Sequence, residues 1–395
     1  MDSHVQPKDP PTEGDKSFLQ FPAVSMQQIE LGAIIGNGTF SKVYRVRYFV
    51  NAEAKRQSWN RRDSMISMNS HSTLQPDLLA RSCSNIHDDC PVTVSSLCVH
   101  QEEFALKKLS DRTLADPLLC DAAARDLATE ATILCKLPPH DNIVALHALS
   151  DGFWNDSSNG FLILTLLYES LENRLDRWRR QGLSFNLVFC SLKERILALL
   201  TPFRPRALTP FSDKVSLPLS QGGQCNRCTK IALPVARAMA FLHHHRICYR
   251  DLKPSNVGFA PDGSVRLFDF GFSREMASHD TDRAMTQLTG TPRYMAPEIM
   301  KCEDYSTPAD VYSYSVLLWE LLTLCRPFAH ASTWDRAKHL IAHKQQRPSL
   351  RGIKDNHLKQ LLQVGWHPNP NMRPSFALIV HELETVFANC SRQRT

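Results

Sequence analysis

The spacing of apolar residues changes partway along this 395-residue chain, and that change limits the folds open to it. Through "IELGAIIGNGTFSKVYRVRYFV", residues 29 to 50, apolar and polar side chains alternate on both sides of a glycine turn, the pattern of two antiparallel strands in a hairpin. "EEFALKKL" and "FLILTLLY" read as further strands, and between them "DAAARDLATEATILCKL" places Ile133, Leu134 and Leu137 at helical spacing. A short helix is expected around "SLENRLDRWRR". Beyond residue 226 the helical period takes over, in "TKIALPVARAMAFLHHH", "PADVYSYSVLLWELLTL", "DNHLKQLLQVG" and "SFALIVHELETVFA". The expected class is α+β, with a small antiparallel sheet and one helix in a first lobe and a larger, mainly helical second lobe. With 43% apolar residues the chain can bury a core of that size.

Two stretches break the pattern. Residues 51–100 turn rich in Ser, Asn and Asp and read as an insertion in a first lobe spanning 28–166. Residues 181–224 form a second irregular insertion in a lobe spanning 167–388, and the polar ends 1–27 and 389–395 read as tails. "LTPF" occurs twice, at 200–203 and 208–211, too short a unit for a repeat architecture. Thr201 and Thr209 there read as turn punctuation rather than phosphorylation or docking sites. Lys55, Arg56, Arg61 and Arg62 read as a solvated basic loop ahead of a nuclear-import patch or a phosphosite at Ser64.

A net charge of +6 without a concentrated basic stripe argues against a nucleic-acid partner. The first residues lack the basic head and apolar stretch of an export signal, and "FLILTLLY" falls well short of the roughly 20 apolar residues that cross a bilayer. The expectation is an intracellular, cytoplasmic protein without membrane insertion, with the nucleus as the other compartment. Of twelve cysteines only Cys225 and Cys228 make a C-x-x-C pair. Joining them to Cys83, His87 and Cys90 would require two distant insertions to meet, so reduced thiols are the expected state.

The chemistry lies in an ordered set of short motifs. A lone G-x-G is weak, because many turns use glycine. Here "GNGTFS" (Gly36 to Ser41) is followed by Val43, then Ala105 and Lys107 in "FALKK", Glu130 on the first helix, "CYRDLKPSN" with Arg250, Asp251, Lys253 and Asn256, "LFDFG" with Asp269, Phe270 and Gly271, and "YMAPE" with Glu298. In this order the residues resemble the eukaryotic protein kinase superfamily, over residues 28 to 388 apart from the insertions.

That resemblance implies a serine/threonine kinase acting on protein substrates with ATP and Mg²⁺. It assigns Ile35, Gly36, Asn37, Gly38, Thr39, Phe40, Ser41, Val43 and Ala105 to nucleotide binding, with Lys107 on the α- and β-phosphates and Glu130 holding its ammonium. Asp251 is implied as the base that accepts or orients the substrate hydroxyl proton, Lys253 as a neutraliser of the γ-phosphate, and Asn256 and Asp269 as ligands of Mg²⁺. Lys253 and Thr291 look like the serine/threonine class rather than the tyrosine class, and "DVYSYSVLLWELLT" resembles the tyrosine-kinase-like branch. Arg250 resembles the pairing residue of kinases switched by an upstream kinase or by autophosphorylation. Ser273, Ser278, Thr281, Thr286 and Thr289 are the candidate acceptors, Thr286 and Thr289 the best placed. Glu298, Arg373 and Asp310 are implied as structural braces.

Three positions depart from the family pattern. Tyr249 stands where histidine is usual, Ser41 where a third glycine is usual, and Gly258 where relatives place a large apolar residue beneath the adenine. Tyr249 keeps a ring against Phe270 but brings a hydroxyl that needs a partner. At Gly258 the floor is expected to be roomier or filled from elsewhere. These departures leave a second reading, a catalytically weak pseudokinase scaffold acting through its insertions.

Overall fold

The computed structural model describes residues 21–38, 40–49, 103–181, 227–276, 289–331 and 333–392. Both expected insertions lie outside these residues apart from Gln181, as do Thr39, Ser278, Thr281, Thr286 and Cys225. The chain divides into two compact units, one running to Lys136 and including Ala145–Leu166, the other combining Leu137–Val144 with the residues from Leu167 onward.

In the first unit, β1 (Ala23–Val24), β2 (Ile29–Asn37), β3 (Ser41–Phe49), β4 (Phe104–Leu109), β5 (Leu146–Ser150) and β6 (Phe161–Thr165) form one sheet in the order β1-β5-β6-β4-β3-β2. All neighbours are antiparallel except β1 and β5. Alternation along the strands gives the sheet two chemically different faces. Tyr44, Leu106 and Ile163 face each other across three strands and join Phe104, Val24 and Ala148 in the apolar core. The register Gly36↔Val43↔Lys107↔Leu162 occupies the opposite face.

Two helices complete the unit. α1 (Asp111–Leu114) is capped by Ser110, whose hydroxyl accepts from the Thr113 amide. α2 (Pro117–Lys136) starts with the Asp116 carboxylate accepting from the amides of Leu118 and Leu119, and with proline at the first helical position, where no amide hydrogen is needed. Its buried residues Ala123, Leu127, Glu130, Ala131, Ile133, Leu134 and Cys135 form an inward stripe that starts at three- and four-residue spacing and widens toward the helix's C-terminal end.

The expected tail over 1–27 is corrected in part. Within it, Ala23–Val24 pairs with Leu149–Ser150 and Val24 is fully buried. Ser25 and Gln28 then close a reciprocal capping box. At the other end, the last helix continues to Arg392, into the stretch 389–395 expected as a tail.

The second unit carries small ribbons among helices. β7 (Glu169–Ser170), β9 (Val257–Phe259) and β10 (Val265–Leu267) form a three-stranded sheet, and β8 (Ile247–Cys248) pairs with β11 (Arg274–Glu275). The helices are α3 (171–181), α4 (Leu233–His244), α5 (Pro297–Met300), α6 (Pro308–Thr323), α7 (Trp334–Lys338), α8 (Asn356–Gly365) and α9 (Phe376–Arg392). Every residue of α6 from Ala309 to Thr323 is buried, so this helix is wrapped on all sides and forms the centre of the unit. The Tyr314 hydroxyl donates to the Ala232 carbonyl and the Trp319 indole to the Ser349 carbonyl, while the Tyr312 hydroxyl is buried without a hydrogen-bond partner among the described residues.

Candidate functional site

Within the first unit, strand register and helix period converge on one ion pair. Lys107 lies beside Val43 on the face opposite the apolar core, and Glu130 lies on the inward stripe of α2. The Lys107 ammonium donates to the Glu130 carboxylate at 2.5 Å, with Glu130 only 1% exposed. Taking the Glu130 carboxylate out of water is costly unless a cation meets it, while the Lys107 side chain keeps 13% exposure. Ala105 stands two residues before Lys107 on the same face.

The glycine hairpin is pinned at its tip. Gly38 donates to the Ser41 carbonyl at 2.9 Å. The Phe40 carbonyl accepts from the Ser110 amide and the Thr113 hydroxyl, each at 2.9 Å, and Lys42 bonds Asp111 at 2.6 Å. A Cβ at Gly36 would stand 3.3 Å from Val43 Cβ, so that glycine serves close strand approach, whereas the space around Gly38 would accept one. Ser41 begins β3. Ile35 is exposed on β2, and Asn37 ends that strand. Ser110 and Thr113 were not singled out from sequence; "SDRT" ahead of an apolar run was their only signal, a capping serine at a helix start.

Within the second unit, Asp251, Lys253, Asn256 and Thr291 form one cluster. Asp251 is 3% exposed. Its Oδ2 accepts from Lys253 Nζ at 2.6 Å and from Asn256 Nδ2 at 3.1 Å, while Oδ1 accepts the Thr291 hydroxyl at 2.9 Å. Lys253 also donates to Thr291 Oγ1 at 3.0 Å, closing a triangle. Asn256 Nδ2 bonds the Asp251 carbonyl as well, at 2.9 Å, so its amide nitrogen is committed to Asp251 and its orientation is set.

The backbone beneath this cluster is unusual. Arg250 has φ +71°, which an L-residue seldom adopts without compensation. Asp310 of α6 supplies it: its carboxylate accepts from the Tyr249 and Arg250 amides at 2.8 Å each and pairs with His243 at 2.9 Å. Burial raises the neighbouring Cys248 thiol well above its ordinary range, so it stays protonated beside that carboxylate. His243 was read only as part of a helix; "HHH" at a helix end carried no sign of its partner.

Asp269 follows β10 on a second left-handed residue, φ +67°. The Phe268 amide donates to the Asn256 carbonyl at 3.1 Å, which ties the two expected metal ligands to one piece of backbone. Tyr249 donates its hydroxyl to the Phe268 carbonyl and sets its ring edge-on to Phe270 at 5.3 Å. The space at Gly258 is filled from elsewhere: a Cβ there would lie 2.6 Å from Leu167 Cδ1 and 3.2 Å from Phe268 Cε1. A roomier floor is therefore not what this unit provides.

Of the acceptor hydroxyls, Ser273 is buried and donates to the Tyr249 carbonyl, and Thr289 is buried too. Arg250 donates to the Phe272 carbonyl and to the Tyr305 hydroxyl. Arg373 grips Glu298 with two nitrogens, at 2.5 and 2.9 Å, both residues buried. Glu320 accepts from Tyr294 at 2.6 Å and from Arg179, yet burial still lifts its carboxyl above the usual range.

Comparison with known proteins bears on the same residues. Residues 212–383 match the protein kinase domain, a span holding Asp251, Lys253, Asn256, Asp269, Glu298 and Arg373 but not Lys107 or Glu130. The chain is 40% identical over 166 residues to the serine/threonine-protein kinase TNNI3K of Mus musculus, covering 40% of this chain and 19% of that protein. It is 36% identical over 154 residues to the serine/threonine-protein kinase STY17 of Arabidopsis thaliana, covering 39% and 26%. To the dual specificity protein kinase shkD of Dictyostelium discoideum it is 35% identical over 167 residues, covering 42% and 22%. The matched stretch thus spans no more than about a quarter of each relative's length.

Proposed function

We propose that this chain, a member of the protein kinase superfamily, transfers the γ-phosphoryl group of ATP to serine and threonine hydroxyls of proteins, inside the cell and chiefly in the cytoplasm. The observation that carries this reading is the Asp251 cluster. A carboxylate bonded to an ammonium, a threonine hydroxyl and a side-chain amide is held in one orientation, as a group must be if it is to meet an incoming hydroxyl.

In this reading Asp251 orients the acceptor hydroxyl and takes its proton as the oxygen attacks phosphorus. Lys253 offsets the negative charge carried by the phosphoryl oxygens, and its bond to Thr291 keeps it beside Asp251. Thr291 draws the "GTPRY" turn against Asp251, which fits a hydroxyl acceptor on serine or threonine. Lys107 is the cation for the nucleotide phosphates, and Glu130 keeps its ammonium from swinging away. The donor set suits Mg²⁺. Asn256 spends its amide nitrogen on Asp251 and retains a carbonyl oxygen, while Asp269 brings a carboxylate from the backbone that bonds Asn256. When bound, the ion would neutralise charge on the phosphates.

The test is phosphate incorporation from radiolabelled ATP into a degenerate serine/threonine/tyrosine peptide set, with wild type beside Asp251→Asn. Expected is turnover on serine and threonine peptides that falls roughly 10²- to 10⁴-fold in the variant, the range of a lost general base. Equal, background-level incorporation by both proteins would replace this reading with the scaffold. Incorporation into tyrosine peptides would widen the acceptor class.

A further inference from the structure

We infer that the Thr113 hydroxyl is a positioning group for the bound nucleotide: it ties the tip of the glycine hairpin to the helix pair α1 and α2, and so sets where the hairpin rests. This depends on the reading above, in which the hairpin and Lys107 meet the phosphates of ATP. Every residue involved belongs to the first unit.

The hairpin needs such a tie. β2 and β3 pair with three register shifts between Glu30 and Gly36, and the turn from Gly36 to Ser41 carries two glycines, so the ladder alone defines this end loosely. Regularity resumes at Phe40. Its carbonyl accepts from the Ser110 amide, which extends the β3–β4 ladder past Ser41↔Leu109, and from the Thr113 hydroxyl, each at 2.9 Å. Both lone pairs of that oxygen are then in use.

The threonine hydroxyl is itself fixed. Thr113 Oγ1 lies 2.8 Å from Ser110 Oγ. Because the threonine proton goes to Phe40, the serine hydroxyl is the donor between the two, and its oxygen accepts the Thr113 amide at 3.2 Å. Thr113 is 2% and Ser110 5% exposed, so bulk water has little access to this ring of bonds. The Lys42–Asp111 pair beside it is of a different kind: the Asp111 side chain is 73% exposed, and a pair so open to solvent adds little.

α1 leads straight into α2. The Asp116 amide donates to the Thr113 carbonyl at 3.2 Å, and the Asp116 carboxylate caps Leu118 and Leu119. α2 in turn carries Glu130, the partner of Lys107. One continuous element thus holds the hairpin at one end and the cation assigned to the phosphates at the other. Removing the hydroxyl frees the hairpin and leaves the cation in place, so the loss falls on nucleotide binding rather than on the transfer step.

Thr113→Val keeps the branched shape and removes only the hydroxyl, whereas Thr113→Ser keeps the hydroxyl. Both are compared with wild type by KM for ATP and kcat on a serine peptide, by calorimetric titration with the magnesium complex of a non-hydrolysable ATP analogue, and by amide hydrogen exchange. Thr113→Val should raise KM for ATP and the analogue's Kd about three- to tenfold, the range of one lost hydrogen bond, and hold kcat within about twofold. Exchange over residues 38–42 should quicken while α2 keeps its protection, and Thr113→Ser should restore every readout. Wild-type affinity in Thr113→Val overturns the inference. So does an affinity loss that Thr113→Ser fails to restore, or one that comes with lost protection throughout α2. A wild type that does not bind the analogue overturns the functional reading and the inference together. One that binds it yet transfers no phosphate overturns the kinase reading alone, and the analogue's Kd with the exchange data then decides the positioning role.

Discussion

The two units hold their candidate residues by different means. In the first, Lys107 and Glu130 sit on a strand and a helix, and their meeting follows from a period of two crossing a period of 3.6. In the second, Asp251 and Asp269 sit on loops with left-handed residues among them, and a buried carboxylate on α6 holds the backbone. Regular elements aim a side chain by repetition, so one ion pair completes the job. A loop has no repetition to rely on, and each departure from ordinary backbone requires its own hydrogen bond.

The sharpest way to break this contrast is to remove Asp310. Asp310→Ala strands the Tyr249 and Arg250 amides in the core and releases a left-handed residue. Stability should fall by roughly 3–5 kcal/mol by denaturant titration, the scale of a stripped buried charge network. A loss under about 1 kcal/mol would show that the loop is held by its own packing. Next in size is Arg373→Met at the buried pair with Glu298. Leaving Glu298 unpaired should cost roughly 3 kcal/mol, and the double variant Arg373→Met, Glu298→Leu should recover most of it, because the pair's desolvation cost goes with it.

Glu130→Gln tests the regular half. Since strand and helix persist without the charge, melting should shift by only a few degrees, while turnover drops about tenfold or more as the Lys107 ammonium loses its anchor. An equal loss of stability in Glu130→Gln and Asp310→Ala would erase the difference between the units. Smaller again is Thr113→Val, which removes one of two donors to the Phe40 carbonyl. About 1 kcal/mol is expected, with a looser glycine hairpin seen as faster exchange at residues 38–42.

The last prediction concerns pH. Burial raises the Glu320 carboxyl above its ordinary value of 4.5, so the folded state binds that proton more tightly than the unfolded chain. The stability this contributes is full below the unfolded value and is lost as pH climbs through the raised one. Wild type should therefore lose stability as pH rises above 4.5, and Glu320→Gln should flatten that fall. A wild-type curve that instead rises with pH over that window would mean that Arg179 and Tyr294 outweigh burial at this site.

What the chain's own letters determined was the periodic part: the hairpin around Gly36, β4 and β6, α2, α6, α8 and α9, and the candidate residues, Glu130 among them, that the motif order supplies. Alternation and helical spacing are local, and each residue's environment follows from neighbours three or four positions away. Tertiary structure alone decided what depends on long-range meetings: the pairing of Ala23–Val24 with β5, the grip of Ser110 and Thr113 on Phe40, His243 on Asp310, and Leu167 with Phe268 over Gly258. A hydroxyl such as that of Tyr249 announces that it needs a partner. Which carbonyl it finds is settled only when residues 249 and 268, nineteen positions apart, are packed side by side with Tyr249 fully buried.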